Sequence, residues 1–237
     1  MSINFNKAKE VAAKEALSFI QSNMIIGLGT GSTAKIFVDL LAKKFFLEKL
    51  DIKVLSTSKK TEIQAKKLGL PLTKIDKVSK IDIVIDGADE ADPNLNLIKG
   101  GGGALLQEKI VAFNSDKMVV IIDDSKIVET LGKFPLPIEI VKFGYIKTKE
   151  KIKKLLYDLS YKDFSMNWRK KNNNYFTTDE KHYILDLSLK KIQNPDILNK
   201  KINYIPGVVE TGLFIKVASI AIVGDDNGNC KIIKKEG

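Results

Sequence analysis

The sequence predicts an α/β fold built on a parallel sheet, joined to a smaller α+β unit. Three observations carry this. Short apolar runs alternate with helical periodicities through the first half of the chain, which implies right-handed crossovers and a parallel sheet. Each of the most distinctive polar motifs follows such a run, and ligands of parallel sheets bind at the carboxyl ends of the strands. The pattern then changes after Gly132, where Pro135 and Pro137 punctuate a linker.

Ala8, Val11, Ala12, Ala16, Phe19 and Ile20 recur at helical spacing and give a first helix with one buried stripe. Met24-Ile-Ile-Gly-Leu28 is a short apolar strand. Thr30-Gly-Ser-Thr33 opens the next helix, which Ile36, Val38, Leu40 and Leu41 continue. Lys53-Val-Leu-Ser56 reads as a second strand. A short helix over 61–68 is ended by Gly69 and Pro71. Ile81-Asp-Ile-Val-Ile85 is a third strand that delivers Asp86. A helix over 104–113 leads to a fourth strand, Met118-Val-Val-Ile-Ile122, which delivers Asp123 and Asp124. Beyond the linker the order is strand 138–143, helix 149–159, strand 164–168, strand 183–187, helix 195–202 and a strand near 208–214, a β-α-β-β-α-β order. Arg169-Lys-Lys-Asn-Asn-Asn174 is low in complexity and reads as a loop. The apolar run 219–223 is expected to return to the first sheet. No internal repeat is present.

A chain of 237 residues, 44% hydrophobic, accommodates one large domain or one domain with a small insertion. Its net charge of +10, from 39 Lys+Arg against 29 Asp+Glu, suits an anionic partner, either a phosphorylated metabolite or a nucleic acid. The lysines are spread along the chain without interleaved aromatics, so they read as solvated faces rather than a nucleic-acid groove. The single cysteine, Cys230, excludes an internal disulfide and points to a reducing compartment. The single histidine, His182, is expected on a surface turn. With one His and one Cys, no zinc site is expected. Lys7, Lys9 and Glu10 stand where a signal peptide would be apolar, and no run reaches membrane-spanning length, so the cytoplasm is the expected location.

The chemistry concentrates in two adjacent turns, Asp86-Gly-Ala-Asp-Glu90 and Lys99-Gly-Gly-Gly-Gly-Ala-Leu-Leu-Gln-Glu108. Clustered carboxylates divide acid and base duties. A glycine run lets backbone N–H groups approach an anionic or polar ligand. The bland alternative is an acidic turn beside a flexible loop. The turn Gly27-Leu-Gly-Thr-Gly-Ser-Thr33 resembles a dinucleotide fingerprint, but Ser32 stands where the last glycine belongs. No acid follows the second strand at Ser56-Thr-Ser-Lys-Lys60 to hold a ribose diol, although Lys59 and Lys60 suit the extra phosphate of NADP. As a monophosphate cradle at a helix N-terminus the turn makes better sense.

These three segments together resemble ribose-5-phosphate isomerase of the A type. Asp124-Ser-Lys126 with Gly132-Lys-Phe-Pro-Leu-Pro137, and Pro206-Gly-Val-Val-Glu-Thr-Gly-Leu-Phe214, fit the same family in order. The resemblance implies a Rossmann-like parallel-sheet domain, 1–132 plus 212–237, with an inserted ferredoxin-like lid, 133–211. It implies an aldose–ketose isomerase of the non-oxidative pentose phosphate branch, with no cofactor, no metal and a sugar phosphate as ligand. A homodimer or higher homo-oligomer is expected, with no nucleic-acid or membrane partner. Glu108 is the implied proton-transferring base. Asp86 would assist ring opening, and Lys99 would stabilise charge on the carbonyl oxygen with the amides of Gly100, Gly101 and Gly102. Substrate contacts are implied for Thr30, Gly31, Ser32, Thr33, Asp86, Gly87, Ala88, Asp89, Lys99 and Lys126, and for Lys9 by the family's N-terminal lysine. Glu90 reads as structural. Thr178-Asp-Glu-Lys-His182 and the Asn-rich loop depart from the family pattern. A silent sugar-phosphate sensor is the alternative, and the retained Glu108 argues against it.

Overall fold

The computed structural model describes residues 5–234. In chain order its main elements are α1 (Phe5–Ala16), β1 (Met24–Leu28), α2 (Ser32–Glu48), β2 (Ile52–Ser56), α3 (Lys59–Lys67), β3 (Ile83–Asp86), β4 (Glu90–Ala91), β5 (Leu97–Ile98), α4 (Leu105–Phe113), β6 (Met118–Asp123) and β7 (Leu136–Ile140). There follow α5 (Tyr145–Asp158), β8 (Ser165–Trp168), β9 (Lys170–Lys171), β10 (Asn174–Tyr175), β11 (Tyr183–Ser188), α6 (Pro195–Asn203), β12 (Val208–Thr211), β13 (Leu213–Phe214), β14 (Ile220–Gly224) and β15 (Cys230–Lys234). The chain forms two compact units. The first comprises the described residues up to 88, residues 107–127 and those from 216 onward; the second comprises 89–106 and 128–215.

The first unit is a six-stranded sheet in the order β2-β1-β3-β6-β14-β15. Neighbours are parallel except for the edge pair β14–β15. The alternation of a strand sorts its residues onto two faces. Ile26 and Leu28, Ile83 and Ile85, Val119 and Ile121, and Ile220 and Ile222 share one face and pack with Ala12, Ala16, Phe37, Val38 and Leu41 of α1 and α2. On the other face Gly27 lies under α4: a Cβ there would come within 2.7 Å of Val111 Cγ1 and 2.9 Å of Val84 Cγ2. With both faces covered, the strands read as continuous apolar runs. The winding reverses between β1 and β3, the position where sheets of this order bind ligands.

The second unit carries an antiparallel four-stranded sheet in the order β12-β7-β11-β8. Numbered within the unit, the strands run fourth, first, third, second, the ferredoxin-like arrangement of a β-α-β-β-α-β chain. Ile138, Ile140, Leu185 and Leu187 cover one face together with Ile152 and Leu156 of α5 and Leu198 and Ile202 of α6. Pro137, Glu139, Ile184 and Asp186 alternate with them on the opposite face. A short sheet, β13-β5-β4, and the hairpin β9-β10 complete the unit.

The structure corrects several local expectations. Pro137 is not in a linker but inside β7, where its carbonyl accepts from Gly212 N at 2.7 Å. The run expected as one strand near 208–214 is divided between two sheets at Gly212, whose missing side chain matters: a Cβ would lie 2.3 Å from the Lys99 carbonyl oxygen. The Asn-rich loop is a tight hairpin. Asn172 and Asn173 form its two-residue turn at φ 50° and 62°, the pair of positive φ values that such turns demand and asparagine tolerates. Tyr175 of this hairpin joins an edge-to-face cluster with Tyr145, Trp168 and Tyr183. β15 adds an unanticipated edge to the first sheet. No helix among the described residues is long and apolar enough to cross a membrane.

Candidate functional site

At the β1–β3 switch point the backbone is tied together by one carboxylate. Asp86, fully buried at the end of β3, accepts at Oδ1 from Thr30 N (2.9 Å) and Gly87 N (2.8 Å). Only glycine fits at position 29, where a Cβ would lie 2.1 Å from that same Oδ1. The Thr30 hydroxyl does not face solvent. It donates to Ser58 Oγ (2.8 Å), which donates to Thr61 Oγ1 (3.1 Å), which donates to the Gly29 carbonyl (2.9 Å). With its proton so used, Thr30 Oγ1 accepts from Thr57 Oγ1 at 2.8 Å. This hydroxyl chain fastens the loop after β1 to the first turn of α3, which Ser58 also caps by accepting from Thr61 N at 3.1 Å.

Gly31 then turns the chain at φ 124° into α2, with open space where a side chain would be. No side chain caps this 17-residue helix. Its first amides and the positive end of its dipole are therefore presented beside the exposed Ser32 and the largely buried Thr33, an arrangement that suits an anion. At the end of β6, Asp123 is buried and accepts from Ser125 Oγ. This short turn carries the half-buried Lys126. Lys9 is half-buried on α1. Glu108 sits in the first turn of α4 and is only 4% exposed, so it is not the solvated helix glutamate that spacing alone allows.

In the second unit, Asp89 Oδ2 accepts from Gly101 N at 2.7 Å, and a Cβ at Gly101 would strike Asp89 Oδ1 at 2.6 Å. Lys99 is 2% exposed. Its N–H donates to the Gly212 carbonyl at 2.9 Å, and its ammonium lies 5.5 Å from the Phe214 ring centroid. Gly100 and Gly103 adopt φ 98° and 83°, closed by Gly103 N donating to the Gly100 carbonyl at 2.9 Å. Glu90 is structural: its two oxygens accept from the backbone N–H of Gly132 and Phe134.

Two features escape sequence reasoning. Arg169 leaves its supposed loop to donate to the carbonyl oxygens of Gly100 and Gly101. His182 does lie on a turn, but its ring faces inward. Nδ1 is 3.0 Å from Oε1 of the fully buried Glu139, which also accepts from Thr178 Oγ1 at 2.8 Å. Burial pushes the Glu139 carboxyl above the ordinary range, against the opposing pull of Thr178 and His182.

The first unit thus offers an uncapped helix N-terminus and the buried Glu108, and the second an amide-lined glycine turn and the buried Lys99. Comparison with known proteins points the same way. Residues 53–228 match the family model of ribose 5-phosphate isomerase A (phosphoriboisomerase A). The chain is similar to ribose-5-phosphate isomerase A of Bradyrhizobium diazoefficiens, 47% identical over 231 residues that cover 95% of each chain. Among solved structures it is similar to ribose 5-phosphate isomerase from Plasmodium falciparum, with a TM-score of 0.91 and 40% identity, covering 97% of this chain and 98% of that one. It is also similar to a D-ribose-5-phosphate isomerase in complex with phospho-erythronic acid, with a TM-score of 0.88 and 38% identity, covering 98% and 99%. Fold, motif order and identity over nearly the whole length agree, and the chain belongs to the ribose 5-phosphate isomerase A family.

Proposed function

We propose that this chain interconverts D-ribose 5-phosphate and D-ribulose 5-phosphate through an enediolate, as an enzyme of the non-oxidative pentose phosphate branch in the cytoplasm. The burial of Glu108, 4% exposed, carries the reading. Buried in the first turn of α4, this carboxylate is kept from bulk water, which suits a base that must carry one proton between two carbons.

After ring opening, assisted by Asp86, the Glu108 carboxylate takes the proton from C2 and returns it to C1. One hydroxyl proton passes from O2 to O1, and no group leaves. The negative oxygen of the enediolate is stabilised by Lys99 and by N–H groups of the Gly100, Gly101 and Gly102 run, where the Gly101 N–H is held by Asp89 and anchors the loop. The phosphate binds at residues Thr30, Gly31, Ser32 and Thr33. Because the hydroxyl and the N–H of Thr30 are both engaged within the protein, this residue contributes by fixing the turn, and Ser32 contributes through its side chain. Lys126 and Lys9 add charge. Gly87, Ala88 and Asp89 meet the sugar hydroxyls. The working form is a homodimer or higher homo-oligomer.

The test is isomerase turnover of ribose 5-phosphate, followed with C2-deuterated substrate in ordinary water. Deuterium partly retained at C1 of the product is expected of a single-base transfer. Tight binding of the sugar phosphate without turnover would overturn the assignment in favour of a sensor.

A further inference from the structure

Of the 39 Lys and Arg residues, Arg169 is the one arginine. Its guanidinium does what an ammonium cannot. Nε and Nη2 donate to Asp186 Oδ2 and Oδ1 at 2.9 and 2.5 Å, a bidentate pair, while Nη1 donates to the carbonyl oxygens of Gly100 and Gly101 at 2.7 and 3.1 Å. The Phe176 ring lies 5.9 Å from the guanidinium carbon and closes over Gly103, where a Cβ would come within 2.5 Å of the ring. One side chain therefore holds two successive carbonyls of the glycine loop, and it is itself held by a carboxylate and a ring.

A trans peptide is planar, with C=O and the following N–H pointing in opposite directions. Drawing the Gly100 and Gly101 carbonyls toward Arg169 therefore turns the N–H groups of Gly101 and Gly102 away from it. The first meets Asp89 Oδ2 at 2.7 Å. The second belongs to an exposed glycine and has no hydrogen-bond partner among the described residues.

We propose that Arg169, braced by Asp186, is the positioning residue of the glycine loop: with the Gly101 amide anchored on Asp89, it aims the Gly102 amide as a fixed donor at the negative oxygen of the enediolate. This rests on the functional reading above and adds to it the group that orients that donor before the reaction. Lysine at 169 has no planar fork, so it cannot hold Asp186 and both carbonyls together.

The test compares Arg169→Lys, Arg169→Ala and Asp186→Asn with the wild-type enzyme. Removing one oxyanion donor costs about 10²–10³ in kcat, and misaiming one should cost roughly 10- to 100-fold. KM for ribose 5-phosphate should stay within about threefold of wild type, since the phosphate contacts lie elsewhere. Phospho-erythronic acid, with which a similar isomerase forms a complex, carries a carboxylate whose negative charge resembles that of the enediolate, so its affinity should fall with kcat while that of ribose 5-phosphate holds. Guanidinium ion should restore part of the Arg169→Ala turnover, and methylammonium should not. Normal kcat in Arg169→Lys, or equal affinity losses for both ligands, would overturn the proposal. Asp186→Asn, which leaves Arg169 in place, covers the case in which the Arg169 variants fail to fold. If wild-type protein turns over no ribose 5-phosphate, it is the functional reading that falls.

Discussion

Glu108 and Lys126 divide the proposed work between chemistry and binding, and single substitutions separate the two. Glu108→Gln keeps the shape of the buried side chain and removes the base. General-base catalysis contributes about 10²–10⁴-fold, so kcat should fall by at least about 10²-fold with the circular dichroism spectrum unchanged; near-normal turnover would remove Glu108 from the role. Lys126→Ala deletes a charge-assisted contact worth about 1.5–3 kcal/mol. KM should rise roughly tenfold or more while kcat changes little, and binding of unphosphorylated ribose should be unaffected. Equal losses for phosphorylated and plain sugar would show that Lys126 does not read the phosphate. The residue that sequence reading passed over is Arg169. It was hidden in a run of charge and asparagine, yet the signal was there, because one arginine among so many lysines marks a place where a fork is needed.

Among elements, those of the first unit were legible because each carries its own local signal. β1, β3 and β6 are buried on both faces and read as apolar runs, and the turns after them hold Thr30, Asp86 and Lys126 where the sequence places them. The second unit was less legible. β4, β5 and β13 are two residues long; β4 and β5 pair with each other across a short connection, β13 exists only through its distant partner β5, and the β9–β10 hairpin has no apolar alternation. Pro137 reads as a breaker, although its neighbours Leu136 and Ile138 bury it in a strand. Two predictions belong at this scale. Gly29→Ala drives a methyl group into the Asp86 carboxylate, 2.1 Å away. Overpacking of this kind costs about 1–3 kcal/mol, so the melting temperature should fall by several degrees, and kcat/KM should fall with it as the Asp86–Thr30 tie is lost. A variant with wild-type values would show that the tie is dispensable. The second prediction concerns Glu139 on the sheet face of the second unit, whose carboxyl burial raises. A carboxyl with a raised folded value binds its proton more tightly folded than unfolded. Its stabilising contribution is thus complete below the ordinary value of about 4.3 and is lost as pH rises through the raised one. Glu139→Gln lacks this penalty, so its melting temperature relative to wild type should climb between pH 4 and pH 8. A difference independent of pH would mean that Glu139 titrates normally.

At the scale of the whole molecule, the chain crosses between its two units four times, after residues 88, 106, 127 and 215. Three of these crossings fall within or beside a motif of the proposed site. Asp86, Gly87 and Ala88 end one segment and Asp89 begins the next, and the glycine loop lies a few residues before Glu108. The proposed reaction, which would set carboxylates beside sugar oxygens, invites the question of a divalent cation, since Mg²⁺ binds oxygen ligands and would bridge to the substrate. Asp86 Oδ1 and Asp89 Oδ2 are each occupied by backbone N–H groups, and among the described residues no three His, Cys, Asp or Glu side chains converge as a metal site. Lys99 places a fixed positive charge, buried and backed by Phe214, in the same short segment as the glycine amides. A buried ammonium and preorganised dipoles can supply the electrostatic stabilisation that a metal would otherwise bring. Exhaustive EDTA treatment should therefore leave kcat and KM unchanged, and no nucleotide should be needed in the assay. Activity lost on chelation and restored by Mg²⁺ or Mn²⁺ would overturn this metal-free account and reduce Lys99 to a structural partner of its loop.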